Sequence, residues 1–232
     1  KKHKKEALKE SKTIREKFTW KNAAKIAGKE IENLLDNLPK NKVEISFDLG
    51  PKVEIKGHNK EEYFIEFIDS STNEVLHSST INNNMWTKCS KSYNIPWVIK
   101  INGKAVHNFN LENKVVRIKF ESKSIGDTLA WAPQIIEFQK LYRCKVILST
   151  FHNDWFKSLP EYKDIKFVNP EDQSKSYTTY QIGWFKSNKG DWKNFDHHPN
   201  QVNTIPLIQA STDILRLPYK EIHYGINFTP KP

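Results

Sequence analysis

Apolar and polar residues alternate from Val43 to Leu111, which is the pattern of strands with one buried face. The alternating runs are separated by turn sequences such as Leu-Gly-Pro and Asp-Ser-Ser-Thr-Asn. Asn102-Gly103 stands between two of these runs, and an Asn-Gly pair in this setting is a strong signal for a β-hairpin. Six or seven short strands separated by such turns predict a small antiparallel sandwich or barrel over residues 40–112.

From residue 113 the pattern changes to that of an α/β layer. The run "VVRIKF" is apolar at neighbouring positions, as parallel strands covered by helices tend to be. The stretch "TLAWAPQIIEFQKLY" follows as a helix, and "CKVILSTF", "IKFVNP" and "YTTYQIGWF" follow as further strands. A last helix is predicted in "IPLIQASTDILRL". Residues 113–232 are therefore predicted to form a Rossmann-like domain.

Residues 1–39 are predicted to be a helical leader, because residues 4–38 are rich in Ala, Leu, Lys and Glu and Pro39 ends the run. The stretch "FTWKNAAKIAGKEIENLL" resembles the last helix of two-domain glycosyltransferases, in which a Trp and small residues pack back across the molecule. That resemblance implies the end of an upstream domain, and an ordinary amphipathic helix is the alternative. The whole chain is thus predicted to be a multidomain α+β protein.

The net charge of +10 is concentrated in the leader. Residues 1–29 hold ten lysines and one arginine against three glutamates, a net +8, which leaves +2 for the rest. The distribution predicts a solvated helix face and no specific nucleic-acid binding. No apolar run reaches membrane-spanning length, so we expect no transmembrane segment and a cytoplasmic protein. Cys89 and Cys144 are predicted to be buried free thiols.

The turn "ESKSIGDTLAWAPQ", residues 121–134, connects the first strand of the α/β layer to its helix. In open α/β sheets, ligands bind beyond the carboxyl ends of the strands, and free N–H groups at a helix N-terminus favour anions. Gly126 permits a tight turn, with a positive φ as one option, and Asp127 is expected at or near the N-cap. Helix capping alone explains these residues as well as a reacting carboxylate does.

The sequence "SIGDTLAWAPQIIEFQK" resembles the first strand–turn–helix unit of heptosyltransferase-like glycosyltransferases. The match is closer still to the autotransporter O-heptosyltransferases, and it continues in "FDLGPKVEIKG", "CKVILSTFHNDWF", "YQIGWF" and "PLIQASTDILRLPYKEI". These stretches lie in order over roughly residues 43–222. The resemblance implies a two-domain GT-B enzyme, of which this chain would hold the β domain and the first α/β domain. Because the chain does not begin with Met and has no second α/β domain, we expect a fragment that is inactive alone.

The resemblance also implies the chemistry. Asp127 would be the general base of an inverting transfer from a nucleotide-diphosphate sugar, similar to ADP-heptose, to a protein Ser or Thr hydroxyl or a glycan. The donor-binding domain and the family's iron-binding cysteines would lie in the missing C-terminal part, so this segment is expected to hold no metal or cofactor; whether it forms homo-oligomers is left open. Candidate substrate-binding residues at the strand ends are Lys123, Ser124, Gly126, Thr128, Thr150, His152, Asn153, Gln181 and Trp184.

Two other features have alternative interpretations. His197 and His198 form a pair, but no third ligand has sensible spacing, so no metal site is predicted. The aromatic residues Trp86, Tyr93 and Trp97 would bind a glycan or protein if the chain were a non-catalytic module with a degenerate α/β scaffold. We favour a core or interdomain role for these three side chains.

Overall fold

The structure is a computed structural model that describes residues 2–17, 19–36, 40–93 and 95–222. Its α-helices are α1 (Lys2–Lys17), α2 (Trp20–Asp36), α3 (Ile125–Tyr142) and α4 (Leu207–Leu215). Its strands are β1 (Lys42–Asp48), β2 (Lys52–Lys56), β3 (Glu62–Asp69), β4 (Glu74–Asn82), β5 (Trp86–Lys88), β6 (Trp97–Ile101), β7 (Lys104–Asn108), β8 (Val115–Phe120), β9 (Lys145–Ser149), β10 (Lys166–Val168) and β11 (Thr178–Ile182). Short 3₁₀ turns lie at Asn153–Trp155, Pro160–Tyr162 and Val202–Thr204.

The larger sheet has seven strands in the order β10-β9-β8-β11-β1-β2-β5. The first five of these are parallel neighbours, and β2 and β5 continue the sheet by antiparallel pairing. Gly50 makes the turn from β1 to β2 possible: its φ is 100°, and a Cβ there would lie 2.0 Å from the Lys91 carbonyl oxygen. The sheet is therefore mixed, with both parallel and antiparallel pairs.

The predicted antiparallel sandwich over residues 40–112 is not confirmed, because three of its seven strands belong to this mixed sheet. β1 pairs in parallel with β11, with Phe47 opposite Thr178. The backbone carbonyl of Phe47 also accepts a hydrogen bond from the Thr178 hydroxyl at 2.8 Å. The division of the chain at residue 112 stays a prediction.

The smaller sheet is antiparallel, in the order β4-β3-β6-β7. Asn102 and Gly103 connect β6 to β7 with φ values of 50° and 77°, so the predicted hairpin is confirmed. One face of this sheet contributes Ile65, Phe67 and Ile99, all fully buried, to the main core. The four strands thus give the chain a second apolar layer.

α3 packs on one face of the larger sheet. The rings of Phe120 on β8 and Trp131 on α3 meet edge to face at 5.5 Å, and those of Tyr180 and Phe138 at 5.3 Å. The Trp131 indole donates a hydrogen bond to the Leu207 carbonyl at 2.9 Å, which ties α3 to the start of α4. This packing fixes the first turn of α3 against the carboxyl end of β8.

The leader forms two helices rather than the single helix predicted. The hydroxyl of Thr19 accepts a hydrogen bond from the Asn22 N–H at 3.2 Å, so Thr19 caps a new helix at the break. The predicted end at Pro39 lies outside the described residues. Cys89 and Cys144 are buried and free, as predicted. In the part of the chain that the structure describes, no helix is long and apolar enough to cross a membrane.

Candidate active site

The first turn of α3 is capped by Ser124 and not by Asp127. The Ser124 hydroxyl accepts a hydrogen bond from the Asp127 N–H at 3.4 Å, and Ser124 has the extended backbone of an N-cap. The N–H of Ser124 itself is bonded to the Ser122 hydroxyl at 3.1 Å. Asp127 is therefore the third residue of the helix, and its carboxylate is not needed as the cap.

Gly126 has no positive φ, so that option is wrong. It is the second residue of α3, where helical geometry is already established. A Cβ at this position would meet only the Ser124 hydroxyl, at 3.8 Å. The glycine leaves open space beside the N-terminus of α3.

The Asp127 carboxylate is oriented by a tryptophan from the neighbouring strand. Trp184 follows β11, which pairs with β8 in the sheet, and its indole N–H donates to Asp127 Oδ2 at 2.7 Å. Asp127 is only 8% exposed. No described residue donates a hydrogen bond to the other oxygen, Oδ1. One carboxylate oxygen thus accepts from Trp184, and the other accepts no hydrogen bond from a described residue.

The indole of Trp184 is itself held in place by other rings. It packs against Trp131 at 6.2 Å and meets the edge of Trp192 at 6.4 Å. The preceding Gly183 lies close to the end of β8, since a Cβ there would be 3.0 Å from the Glu121 Cβ. Trp184 remains 36% exposed, so its outer edge faces solvent.

The turn after β9 is joined to the turn after β8 through Lys123. His152 Nε2 lies 3.0 Å from the Lys123 carbonyl oxygen, which only accepts, so Nε2 carries the proton. The imidazole stacks on Trp155 at 4.4 Å. The Lys123 ammonium lies 5.4 Å from the centre of the Phe151 ring. His152 thereby holds the backbone just before the helix N-terminus.

Thr150 and Asn153 form a closed network in the same turn. The Asn153 side-chain oxygen accepts hydrogen bonds from the backbone N–H and the hydroxyl of Thr150, at 2.9 and 3.0 Å. The Asn153 side-chain N–H donates to the Val168 carbonyl at 2.8 Å. Both residues are buried, and these contacts shape the turn.

Two further candidates point away from the Asp127 carboxylate. The Thr128 side chain is fully buried and its hydroxyl donates to the Ser124 carbonyl at 3.1 Å. Gln181 lies on the sheet face opposite α3, because its neighbour Tyr180 packs on that helix; its amide donates to Glu121 at 3.0 Å. The structure therefore groups Lys123, Ser124, Gly126, His152 and Trp184 around the turn at Asp127. Substrate roles for all nine candidates stay predictions.

The histidine pair is used for internal contacts. His197 Nδ1 lies 2.6 Å from the Ser92 hydroxyl. His198 is buried; its Nδ1 accepts from the Asn200 N–H at 2.9 Å and its Nε2 lies 3.2 Å from the Ala210 carbonyl. Among residues 2–17, 19–36, 40–93 and 95–222, no group of three or more His, Cys, Asp or Glu side chains is placed to hold a metal ion.

We expect the free energy of unfolding to fall as the pH is lowered from about 7.5 to about 5.5. Burial lowers the pKa of His198 below its usual value of 6.5, and it also lowers the pKa of His197 and His107. The unfolded chain takes up protons first as the pH falls, so the neutral folded state loses stability below about 6.5. Denaturant titrations across this range measure the effect. His198→Gln should flatten the slope and His58→Gln, at an exposed position, should not; equal slopes would contradict the assignment.

Comparison with known proteins gives partial matches to one group of enzymes. No family model matches the chain. The chain is 31% identical over 130 residues to the inactive autotransporter heptosyltransferase BimC of Burkholderia thailandensis. The matched region covers 53% of this chain and 30% of BimC. It is 28% identical over 134 residues to the autotransporter heptosyltransferase Aah of Escherichia coli, covering 54% of this chain and 34% of Aah. The matched part is about a third of the length of these curated relatives.

A solved structure has the same fold. The iron-containing dodecameric glycosyltransferase TibC of enterotoxigenic E. coli matches with a TM-score of 0.70 and 19% identity, over 84% of this chain and 50% of TibC. The residues that the structure describes in this chain do not fit an iron site. The predicted resemblance is confirmed: over about half its length the chain is similar to part of the autotransporter heptosyltransferases.

Proposed function

We propose that this chain is the acceptor-side part of an inverting glycosyltransferase that moves a heptose-like sugar from a nucleotide-diphosphate donor to a Ser or Thr hydroxyl. One observation carries the proposal. The Asp127 carboxylate lies at the carboxyl end of a parallel strand, is oriented by Trp184 through Oδ2, and has Oδ1 left to accept a proton. A second solved TibC structure is described as a complex with ADP-D-β-D-heptose, which supports a nucleotide-sugar donor.

The chemistry assigns one role to each group. Oδ1 of Asp127 accepts the proton of the acceptor hydroxyl while the hydroxyl oxygen attacks the anomeric carbon of the sugar. The bond from that carbon to the diphosphate oxygen breaks, and the nucleotide diphosphate leaves with the electron pair on the opposite face. The configuration at the anomeric carbon is therefore inverted. A carboxylate is a suitable base because hydroxyl groups are poor nucleophiles until their proton is removed.

The surroundings of Asp127 suit a negatively charged donor. The first N–H groups of α3 favour an anion, and the positively charged Lys123 precedes them in the chain, with its ammonium beside the Phe151 ring of the neighbouring turn. Gly126 leaves the approach to these N–H groups open. His152 positions the Lys123 backbone from the neighbouring turn. In this proposal the rest of the donor is bound by a domain outside the described residues.

Trp184→Phe should lower the rate of sugar transfer by about 10- to 100-fold in the full-length protein that contains this chain. The substitution keeps an aromatic ring against Trp131 and removes the N–H that fixes Asp127 Oδ2. A hydrogen bond to a charged group contributes about 1.5–3 kcal/mol, and about 1.4 kcal/mol corresponds to tenfold in rate. The measurement is transfer monitored by mass spectrometry at varied acceptor concentration, where kcat should fall more than KM rises.

Trp192→Phe is the matched control, because Trp192 touches the Trp184 ring and makes no hydrogen bond to Asp127. Its transfer rate should stay within a few-fold of the parent. Equal losses in the two variants would show that ring packing matters and that the bond to Asp127 does not.

A second candidate function is that of a non-catalytic binding module. It is supported by the relative BimC, which is named an inactive autotransporter heptosyltransferase. Trp97 and Tyr93 are buried in the core, and only Trp86, 59% exposed, is left to meet a glycan. The test is glycan-array binding by the whole chain and by its Trp86→Ala variant. Binding that needs Trp86, together with transfer that is insensitive to Asp127, would favour the module.

Three broader proposals remain, of which the first rests on the sequence pattern and the other two on the resemblance. The chain has a basic leader over residues 1–39, a β domain over 40–112 and an α/β domain over 113–232. The parent protein acts in the cytoplasm on an acceptor protein or glycan. It is also a candidate for homo-oligomer formation, since TibC is described as dodecameric.

A further inference from the structure

The face of the larger sheet opposite α3 carries a polar cavity of about 340 Å³. Its floor is formed by side chains of two adjacent strands, Arg117 and Lys119 of β8 and Thr179 and Gln181 of β11. Tyr180 packs on α3, so the residues on either side of it face away from that helix. Asp48, at the end of β1, lies beside Thr179 in the sheet and closes one side. The floor is thus polar, whereas the faces of parallel sheets are usually apolar and covered by helices.

A connection without a helix passes over this face. Residues 169–177 lead from β10 to β11, and residues 172–176 form one wall of the cavity. The Arg117 guanidinium holds this wall, since it donates to the Asp172 carboxylate at 2.8 Å and to the backbone carbonyls of Asp172 and Ser174. Hydrogen bonds from the Ser174 hydroxyl and N–H, and then from Arg117, lower the pKa of Asp172 to about 2. The ion pair therefore persists at neutral pH, and the cavity is pre-formed.

Arg117 keeps a donor for a ligand. It is only 5% exposed, and the three hydrogen bonds that it makes to described residues all start from Nη1 and Nη2. No described residue accepts a hydrogen bond from its Nε–H. Nε is nevertheless not enclosed by protein atoms, so it opens onto the cavity that Arg117 lines. A guanidinium donor held in this way suits an anion, because the group is planar and always protonated.

The other charges around the cavity leave it positive. The Lys119 ammonium lies 3.7 Å from the Glu121 carboxylate, and Lys175 makes no ion pair or hydrogen bond with a described residue. With the guanidinium, these lysines bring three positive charges to the lining, against the two carboxylates of Asp48 and Asp172. The lining therefore has one net positive charge to offer a ligand.

The acceptors in the lining suit hydroxyl groups. The Asp48 carboxylate accepts no hydrogen bond from a described residue, since Lys88 reaches only its backbone carbonyl. The Gln181 side chain donates to Glu121 through its N–H and leaves its amide oxygen free. Leu49 is the one apolar residue among the described residues of the lining. The ligand is therefore expected to be polar over its whole surface and to carry donors as well as a negative charge.

We propose that this cavity binds a small hydroxylated anion whose charged group is a carboxylate or a phosphate. The charged group lies between Arg117 Nε and the Lys119 ammonium, and hydroxyl groups of the ligand donate to Asp48 and to the amide oxygen of Gln181. The volume is at the lower end of the range of about 300–1,000 Å³ for small-molecule sites, which fits a ligand of one sugar ring. The proposal does not depend on sugar transfer at Asp127.

The first test is calorimetric titration of the whole 232-residue chain at constant ionic strength. The probes are glucuronate and glucose 6-phosphate, and neutral glucose and inorganic phosphate are the comparisons. Binding of glucuronate would identify a carboxylate ligand, and binding of glucose 6-phosphate a phosphate ligand; either result supports the site. Failure of both probes to bind would overturn it. Glucose or inorganic phosphate binding as tightly as the two probes would also overturn it, because the charged group or the hydroxyl groups would then contribute nothing.

Two lysines of the same sheet face give a matched pair of variants. Lys119→Gln should weaken binding of the probe by about tenfold, the usual loss for a hydrogen bond to a charged group. Lys145→Gln should leave binding unchanged, because Lys145 is exposed on the neighbouring strand β9 and does not line the cavity. Equal affinities of these two variants would contradict the assignment. Arg117 is kept in both, since its replacement would also release the wall of the cavity.

Hydrogen exchange measured by mass spectrometry locates the bound probe. Glucuronate or glucose 6-phosphate should slow amide exchange in residues 169–177, which form the connection over the cavity. Protection confined to residues 2–36 would overturn the proposal, because the basic leader would then be collecting the anion without a specific site.

Discussion

Asp127→Asn should reduce sugar transfer by the full-length protein by about 10²- to 10⁴-fold, which is the usual contribution of a general base. The amide has the shape of the carboxylate and still accepts the hydrogen bond from Trp184, but it does not take up the proton of the acceptor hydroxyl. Because Ser124 provides the helix cap, the substitution should leave α3 intact. Transfer is measured by mass spectrometry, and folding by circular dichroism and thermal melting.

The control for this experiment is Asp154→Asn. The Asp154 side chain is 89% exposed and pairs only with Lys157 among the described residues, at 2.7 Å. Its removal should change neither transfer nor stability appreciably. A well-folded Asp127→Asn protein that turns over as fast as Asp154→Asn would reject the assigned base.

Trp131→Ala should lower the free energy of unfolding by about 3–5 kcal/mol, the usual loss for a large buried ring. The Trp131 side chain is fully buried, meets Phe120 edge to face and bonds to the Leu207 carbonyl. The substitution leaves a cavity between α3 and β8 and also removes the indole hydrogen bond to that carbonyl. Denaturant titration monitored by far-UV circular dichroism gives the change.

Trp86→Ala serves as the comparison for stability. Trp86 is 59% exposed, and the Lys52 ammonium lies 5.1 Å from the centre of its ring. An exposed cation–π contact contributes about 0.5–1 kcal/mol. A loss at Trp131 no larger than the loss at Trp86 would contradict the central packing role of Trp131.

The elements whose formation depends on residues close together in the sequence were predictable from the sequence. The Asn102-Gly103 hairpin forms because both residues tolerate positive φ, and this preference is local. β8, α3 and β9 follow from runs of apolar residues with clear turn sequences between them. The family resemblance was also carried by short contiguous stretches, and the comparisons bear it out.

The placement of β1 was not predictable in the same way. The alternation in this strand is what an antiparallel sandwich strand would show, and only Phe47 is fully buried in it. Its parallel partner β11 lies far along the chain, and alternation gives no information about such a partner. The pattern of a strand indicates how many faces are buried and not which strand lies beside it.

In the candidate site, too, the features set by local sequence were predictable and those set by distant partners were not. The turn sequence singled out Asp127 as a candidate. It did not show that Ser124, and not Asp127, caps the helix, nor that Trp184 donates a hydrogen bond to Asp127. The two residues are 57 positions apart, and the bond depends on β8 and β11 being adjacent in the sheet. Trp184 was predicted as a substrate contact from its place after a strand; the structure adds that it orients the carboxylate.

The parallel pairing of β1 with β11 affects how the chain folds and where it can be cut. The contact between Phe47 and Thr178 closes a loop of 131 residues, so it belongs to the slowly formed, non-local part of the sheet. A shortened protein that starts at residue 113 would leave the side of β11 that faces β1 without a partner. Unpaired sheet edges recruit other chains, so such a protein would be prone to aggregate even though its Rossmann-like segment is nominally whole.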